Sequence, residues 1–120
     1  MKKKILAIEN DHGVRDLIHT VLSEAGYHIT LIGTDDDIFE EIKIFEPDAI
    51  LLDVVRTTEK GTEICRAIRE SEVAGHIPVI VLSTNANVAE TIKEICADEV
   101  IPKPFDVDKL LEVIETQLNT

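Results

Sequence analysis

Two kinds of apolar pattern alternate along these 120 residues. The first is the uninterrupted run, seen at Lys4–Ile8, in Asp48-Ala49-Ile50-Leu51-Leu52-Asp53 and in Val79-Ile80-Val81-Leu82. Apolar runs of strand length read as strands buried on both faces, as parallel sheets require. The second recurs at helical spacing: Val14, Leu17, Ile18, Val21, Leu22 and Ala25, with Gly26 closing the helix as a C-terminal cap. Residues 27–32 form another strand, in which His28 and Thr30 alternate with Ile29 and Leu31. Thr34, with Asp37 three residues on, predicts a capping-box-like start to a helix faced by Ile38, Phe39, Ile42 and Phe45. The run Asp35-Asp36-Asp37 fits a helix N-terminus and its dipole better than a metal cluster, and Pro47 ends that helix.

Beyond the central run, residues 62–69 read as a helix with Ile64, Cys65 and Ile68 inward, broken by Gly75-His76-Ile77-Pro78. A short helical pattern (Val88, Ile92, Ile95) leads to a strand containing Val100, Ile101 and Pro102. Val107, Leu110, Leu111, Ile114 and Leu118 face the last helix. Five strands alternating with five helices predict one α/β domain over residues 1–120, with a doubly wound five-stranded parallel sheet between two helical layers. Strand two alternates and strand five contains proline, which cannot donate to a ladder, so both belong at edges. The order 2-1-3-4-5 satisfies these constraints with right-handed crossovers and puts the switch point between strands one and three.

Composition narrows the partners. A hydrophobic fraction of 44% and a charged fraction of 30% are those of a globular chain, and the net charge of −12 argues against direct contact with nucleic acid or an anionic membrane. Met1-Lys2-Lys3-Lys4 begins like a signal peptide, but its apolar run stops at Glu9, and no stretch approaches membrane-spanning length. Cys65 and Cys96 form no metal-ligand spacing and fall in helical apolar patterns, predicting buried free thiols in a reducing compartment. The expected location is the cytoplasm.

Candidate chemistry collects at the carboxyl edge, where open α/β sheets bind ligands. The predicted topology brings Glu9-Asn10-Asp11 and Asp53 to one crevice, flanked by Ser83 from strand four and Lys103 from strand five. Hard oxygen ligands beside a lysine and a hydroxyl suit a magnesium-assisted reaction of a phosphoryl group. Asp53 is the candidate nucleophile, and Lys103 and Ser83 the candidate holders of phosphoryl oxygens.

The chain resembles a response regulator receiver domain, with a CheY-like fold, over essentially its whole length. The resemblance rests on Ile5-Leu6-Ala7-Ile8-Glu9-Asn10-Asp11, Pro47-Asp48-Ala49-Ile50-Leu51-Leu52-Asp53, Gly61, Ile77-Pro78-Val79-Ile80-Val81-Leu82-Ser83 and Lys103-Pro104-Phe105, in order and suitably separated. It implies that Asp53 takes a phosphoryl group from a phosphohistidine of a sensor histidine kinase or phosphotransfer protein, with Mg2+ (or Mn2+), and later loses it by hydrolysis. It implies metal ligation by Glu9, Asn10, Asp53 and the main-chain carbonyl of Val55, and a switch involving Ser83 and Val100. It implies a cis bond from Lys103 to Pro104, self-catalysed transfer as the only chemistry, and output by contact with a downstream protein. No output domain follows Thr120 in this sequence.

The departures carry their own expectations. Asn10 stands where the family's second acid usually binds the metal, which predicts weakened magnesium binding. Thr57 replaces the usual proline, Thr84 the usual alanine, and Val100 the usual aromatic, which predicts a muted response on the fourth- and fifth-strand surface. The Ser83–Lys103 interval is short, and the customary Gly-Ala before strand five is missing. The alternative reading is a receiver-fold binding module that acts independently of phosphorylation. A flavodoxin-like mononucleotide binder is disfavoured, because the acids of the first loop would repel a phosphate and no phosphate-binding glycine loop exists.

Overall fold

The strands β1 (Lys4–Ile8), β2 (His28–Ile32), β3 (Ala49–Asp53), β4 (Val79–Ser83) and β5 (Glu99–Pro102) alternate with α1 (His12–Glu24), α2 (Ile38–Phe45), α3 (Lys60–Glu70), α4 (Ala86–Ile95) and α5 (Val107–Leu118). They belong to a computed structural model that describes residues 2–54, 60–83 and 86–119, without the side chains of residues 60 and 86–89. Val55, Thr57 and Thr84, each singled out from the sequence, lie outside the described residues. All pairings are parallel and the order is β2-β1-β3-β4-β5, as the apolar pattern predicts.

Alternation along the strands explains the layers. Leu6, Ile8, Ile50, Leu52, Val79 and Val81 face one core with Ile38 and Ile42 of α2, Ile64 and Ile68 of α3, and Ile92 of α4. Ile5, Ala7, Leu51, Ile80 and Leu82 face the other with Ile18 and Leu22 of α1 and Leu110 and Ile114 of α5. Each fully buried Leu or Ile contributes roughly 1.5–3 kcal/mol, so the three central strands anchor the fold from both faces. That rigidity matters because the register ends these strands together: Ile8 pairs with Leu52, Asp53 with Leu82, and Ser83 with Pro102.

Several local expectations need correction. Cys65 and Cys96 are bonded in a disulfide, not free: α3 and the end of α4 turn them into the same core with their Cα atoms 5.8 Å apart, within the span a bridge requires. The free-thiol argument for a reducing compartment therefore falls away. Thr34 does not cap α2; Asp37 does, accepting from Glu40 N at 3.1 Å, while Asp36 accepts from Gly33 N. Phe39 is 43% exposed, and Leu17 and Val107 are exposed too, because each sits on the margin of its helix's apolar stripe. The chain leaves α2 through Glu46, whose left-handed backbone (φ 52°) turns it before Pro47. Gly26, at φ 95°, takes the corresponding role after α1, where only glycine is free of strain.

Candidate functional site

Glu9, Asn10 and Asp11 leave β1 in three different directions. Glu9 is only 2% exposed; its Oε1 accepts from Lys103 Nζ at 2.8 Å and its Oε2 from Asp11 N at 3.2 Å. Asp11 turns back to cap α1, accepting from Val14 N at 3.0 Å, so its charge serves the helix N-terminus. Asn10 turns toward the β2–α2 connection: its Nδ2 donates to Thr34 Oγ1 and its Oδ1 accepts from Thr34 N, both at 2.9 Å.

Asp53 closes β3, and its side chain is 22% exposed. Gly61 lets α3 come close behind it, since a Cβ there would lie 2.8 Å from the Asp53 carbonyl oxygen. Lys103, just past β5, is tied by its backbone N–H to Ser83 O at 2.8 Å. Its ammonium stands 2.7 Å from Asp53 Oδ1 while also bonding Glu9, with only 13% of the side chain exposed. Burial alone would lower the lysine pKa, but close contact with the charged Asp53 and Glu9 carboxylates reverses this and raises it above its ordinary value. The contact with Asp53 is an ion pair rather than a well-directed hydrogen bond, so buried Oδ1 has no hydrogen-bond partner among the described residues. Ser83 is buried at the end of β4, 3% exposed, and Val100 is half-buried, paired with Val81 and packed against the core. The Lys103–Pro104 bond is cis.

The described residues thus bring Glu9, Asp53 and Lys103 into contact, with Ser83 on the adjoining strand end. They do not bring Asn10 into that contact. Two carboxylates converging on one cation, with a carboxylate oxygen lacking a hydrogen bond, fit a small cation. The fit is partial, because the Asn10 oxygen is engaged elsewhere and no group of three His, Cys, Asp or Glu among the described residues could hold a metal. The residue the sequence did not single out for the site is Thr34. Only its place after β2, the strand beside β1, could have suggested it. A surface depression of about 630 Å3 lies elsewhere, along α5 at Asp108, Leu111, Glu112, Glu115, Thr116 and Asn119.

Comparison with known proteins agrees with this fold. The response regulator MprA of Mycobacterium leprae (strain TN) is 32% identical over 117 residues, covering 96% of this chain and 50% of the relative. This chain therefore spans about half the length of the curated relatives it matches. A response regulator from Burkholderia multivorans superposes with a TM-score of 0.74 at 28% identity, covering 97% of this chain and 94% of the other. The receiver domain of the sensor histidine kinase PA1611 from Pseudomonas aeruginosa PAO1, with a magnesium ion coordinated in its active-site cleft, gives 0.81 at 24% identity and complete coverage of both chains. This kinship favours a phosphoacceptor in two-component signalling over a phosphorylation-independent binding module. Residues 5–115 match the family described as the response regulator receiver domain, and the chain belongs to that family.

Proposed function

We propose that Asp53 is the phosphoacceptor of this receiver domain. The observation that carries the reading is the convergence of the Asp53 and Glu9 carboxylates on Lys103 at the carboxyl edge. An Asp53 carboxylate oxygen attacks the phosphorus of a phosphohistidine on a sensor histidine kinase or phosphotransfer protein. The P–O bond forms as the P–N bond breaks, and the departing imidazole keeps the electron pair. Lys103 is already charged and held at the acceptor, so it can bond a phosphoryl oxygen without first gaining a proton. The Ser83 hydroxyl, one strand away, is assigned a second phosphoryl oxygen. Hydrolysis of the acyl phosphate resets the domain, and we assign no catalysis on other substrates.

Bound magnesium would neutralise the charge of the phosphoryl oxygens against the two acids. Asp53, the Val55 carbonyl and Asn10 are its proposed ligands, with Glu9 acting through water. Val100, small and already packed, supports a muted response toward α5. The expected partner is a downstream protein rather than nucleic acid, and the expected compartment is the cytoplasm. No helix among the described residues is long and apolar enough to cross a membrane.

A small phosphodonor with magnesium should add one acid-stable, base-labile phosphoryl group, visible as a single mass increment. Asp53→Ala should abolish it. Continued labelling of Asp53→Ala would place the acceptor elsewhere.

A further inference from the structure

We propose that Thr34 and Gly33 are positioning residues for the metal site: they clasp the Asn10 amide on the β2–α2 loop, so that magnesium and Thr34 compete for Asn10 Oδ1. The inference rests on the phosphoacceptor reading above and deepens it.

Three observations carry it. Asn10 and Thr34 exchange two hydrogen bonds, both 2.9 Å. Because Thr34 N–H can only donate, it must meet the amide oxygen, which fixes the orientation of the carboxamide. Gly33 leaves the space that this oxygen fills, since a Cβ on Gly33 would stand 2.9 Å from Asn10 Oδ1. The φ of Gly33 is not positive, so glycine is needed there for the neighbour rather than for the backbone. Finally, β1 lies between β2 and β3. An amide turned toward the loop after β2 is turned away from Asp53 at the end of β3, and ligating a metal beside Asp53 requires it to leave Thr34.

The clasp does not depend on an amide. An aspartate at position 10 would accept from both Thr34 N–H and the Thr34 hydroxyl, so Asn10→Asp adds charge without opening the clasp. Part of the gain from that charge should appear only when the Thr34 hydroxyl is also removed.

The test is magnesium affinity, read by backbone and side-chain amide NMR at fixed ionic strength. It compares the wild type, Thr34→Val, Asn10→Ala and the double variant, with Gly33→Ala as an independent way to displace the oxygen. Thr34→Val removes the hydroxyl that holds Asn10 Nδ2 and keeps the backbone N–H on Oδ1, so it loosens the clasp by one exposed neutral hydrogen bond and should tighten magnesium binding about threefold. Gly33→Ala should move in the same direction. In the Asn10→Ala background, Thr34→Val should change nothing, because the coupled partner is gone. Saturating the wild type with magnesium should shift both the Asn10 side-chain amide and the Thr34 amide. Equal affinity in wild type and Thr34→Val, or an equal gain with and without Asn10, overturns the clasp and leaves the phosphoacceptor reading standing. Failure of all the proteins to bind magnesium overturns the metal-assisted reading and the clasp with it.

Discussion

At the amino edge of the sheet, Asp48 and Asp98 each precede a strand and each close onto the neighbouring one. Asp48 N donates to Lys4 O at 2.7 Å while its Oδ2 accepts from Lys4 N at 2.7 Å. Asp98 N donates to Val79 O at 2.9 Å while its Oδ2 accepts from Val79 N at 2.8 Å. Arg69 then covers Asp98, bonding also to the carbonyls of Cys96 and Gly75. At the carboxyl edge, Glu9 and Asp53 instead share one lysine, and Asp53 Oδ1 lacks a hydrogen bond among the described residues. What holds the acids differs: at the amino edge the backbone of the neighbouring strand donates to each, whereas at the carboxyl edge two acids converge on one ammonium and one buried oxygen, Asp53 Oδ1, has no hydrogen-bond partner among the described residues. An acid tied to a neighbouring strand's backbone fastens the fold; a buried carboxylate oxygen with spare acceptor capacity can take on new chemistry.

The largest effect expected from this contrast is at the fastened edge. The disulfide joins α3 to Cys96, two residues before Asp98, across a sequence separation of 31. By loop-closure entropy its reduction should cost about 3–4 kcal/mol, read as a lower urea midpoint for the reduced protein. An unchanged midpoint would mean that the charge network alone holds this edge. Next comes Lys103→Met, which leaves buried Glu9 without its cation and should cost about 3 kcal/mol. Because the folded lysine pKa is raised, this contribution is complete below the unfolded value near 10.4 and is lost as pH rises through the folded value. The stability gap between wild type and Lys103→Met should therefore hold constant from about pH 7 to 9 and narrow only above about pH 10.5.

Asp98→Ala should cost about 2 kcal/mol, because it strips Val79 N and Arg69 of an acceptor that is itself about one-third exposed. Asp53→Asn should change stability by about 0.5 kcal/mol or less, since Lys103 keeps Glu9 and the like-charge pair is relieved. If Asp53→Asn proved as destabilising as Asp98→Ala, the acceptor would be a structural acid and the contrast between the edges would collapse.

The architecture was legible because period-two and unbroken apolar runs record burial directly, and Pro102 marked an edge strand. The placement of Asp53 followed from a run of four apolar residues ending in a carboxylate. Side-chain direction in loops was not legible. Nothing in the spacing said that Asn10 would turn to Thr34, or that Asp37 rather than Thr34 would cap α2, since both depend on which neighbour competes for a hydroxyl. The disulfide escaped for a related reason: its two residues meet through tertiary packing, and isolated cysteines in apolar helices look alike whether bonded or free. The acids before β3 and β5 did leave a trace, as Pro47-Asp48-Ala49-Ile50 and Ala97-Asp98-Glu99-Val100, but it shows only once β1 and β4 are known as their partners.

The register of the sheet has one more consequence. Asp53 and Ser83 are the last residues of adjacent strands, and Lys103 follows the end of the next. A strand can shift against its neighbour only in steps of one residue, roughly 3.3 Å, and a single step turns every side chain to the opposite face. Positioning a reacting group, by contrast, tolerates only about 0.5 Å. Relative to one another, these strand ends offer no gradual adjustment: the site is assembled in register or it is absent. Variation among such domains must therefore work by exchanging one side chain for another at fixed positions, as at Asn10, and by redirecting it through the loops.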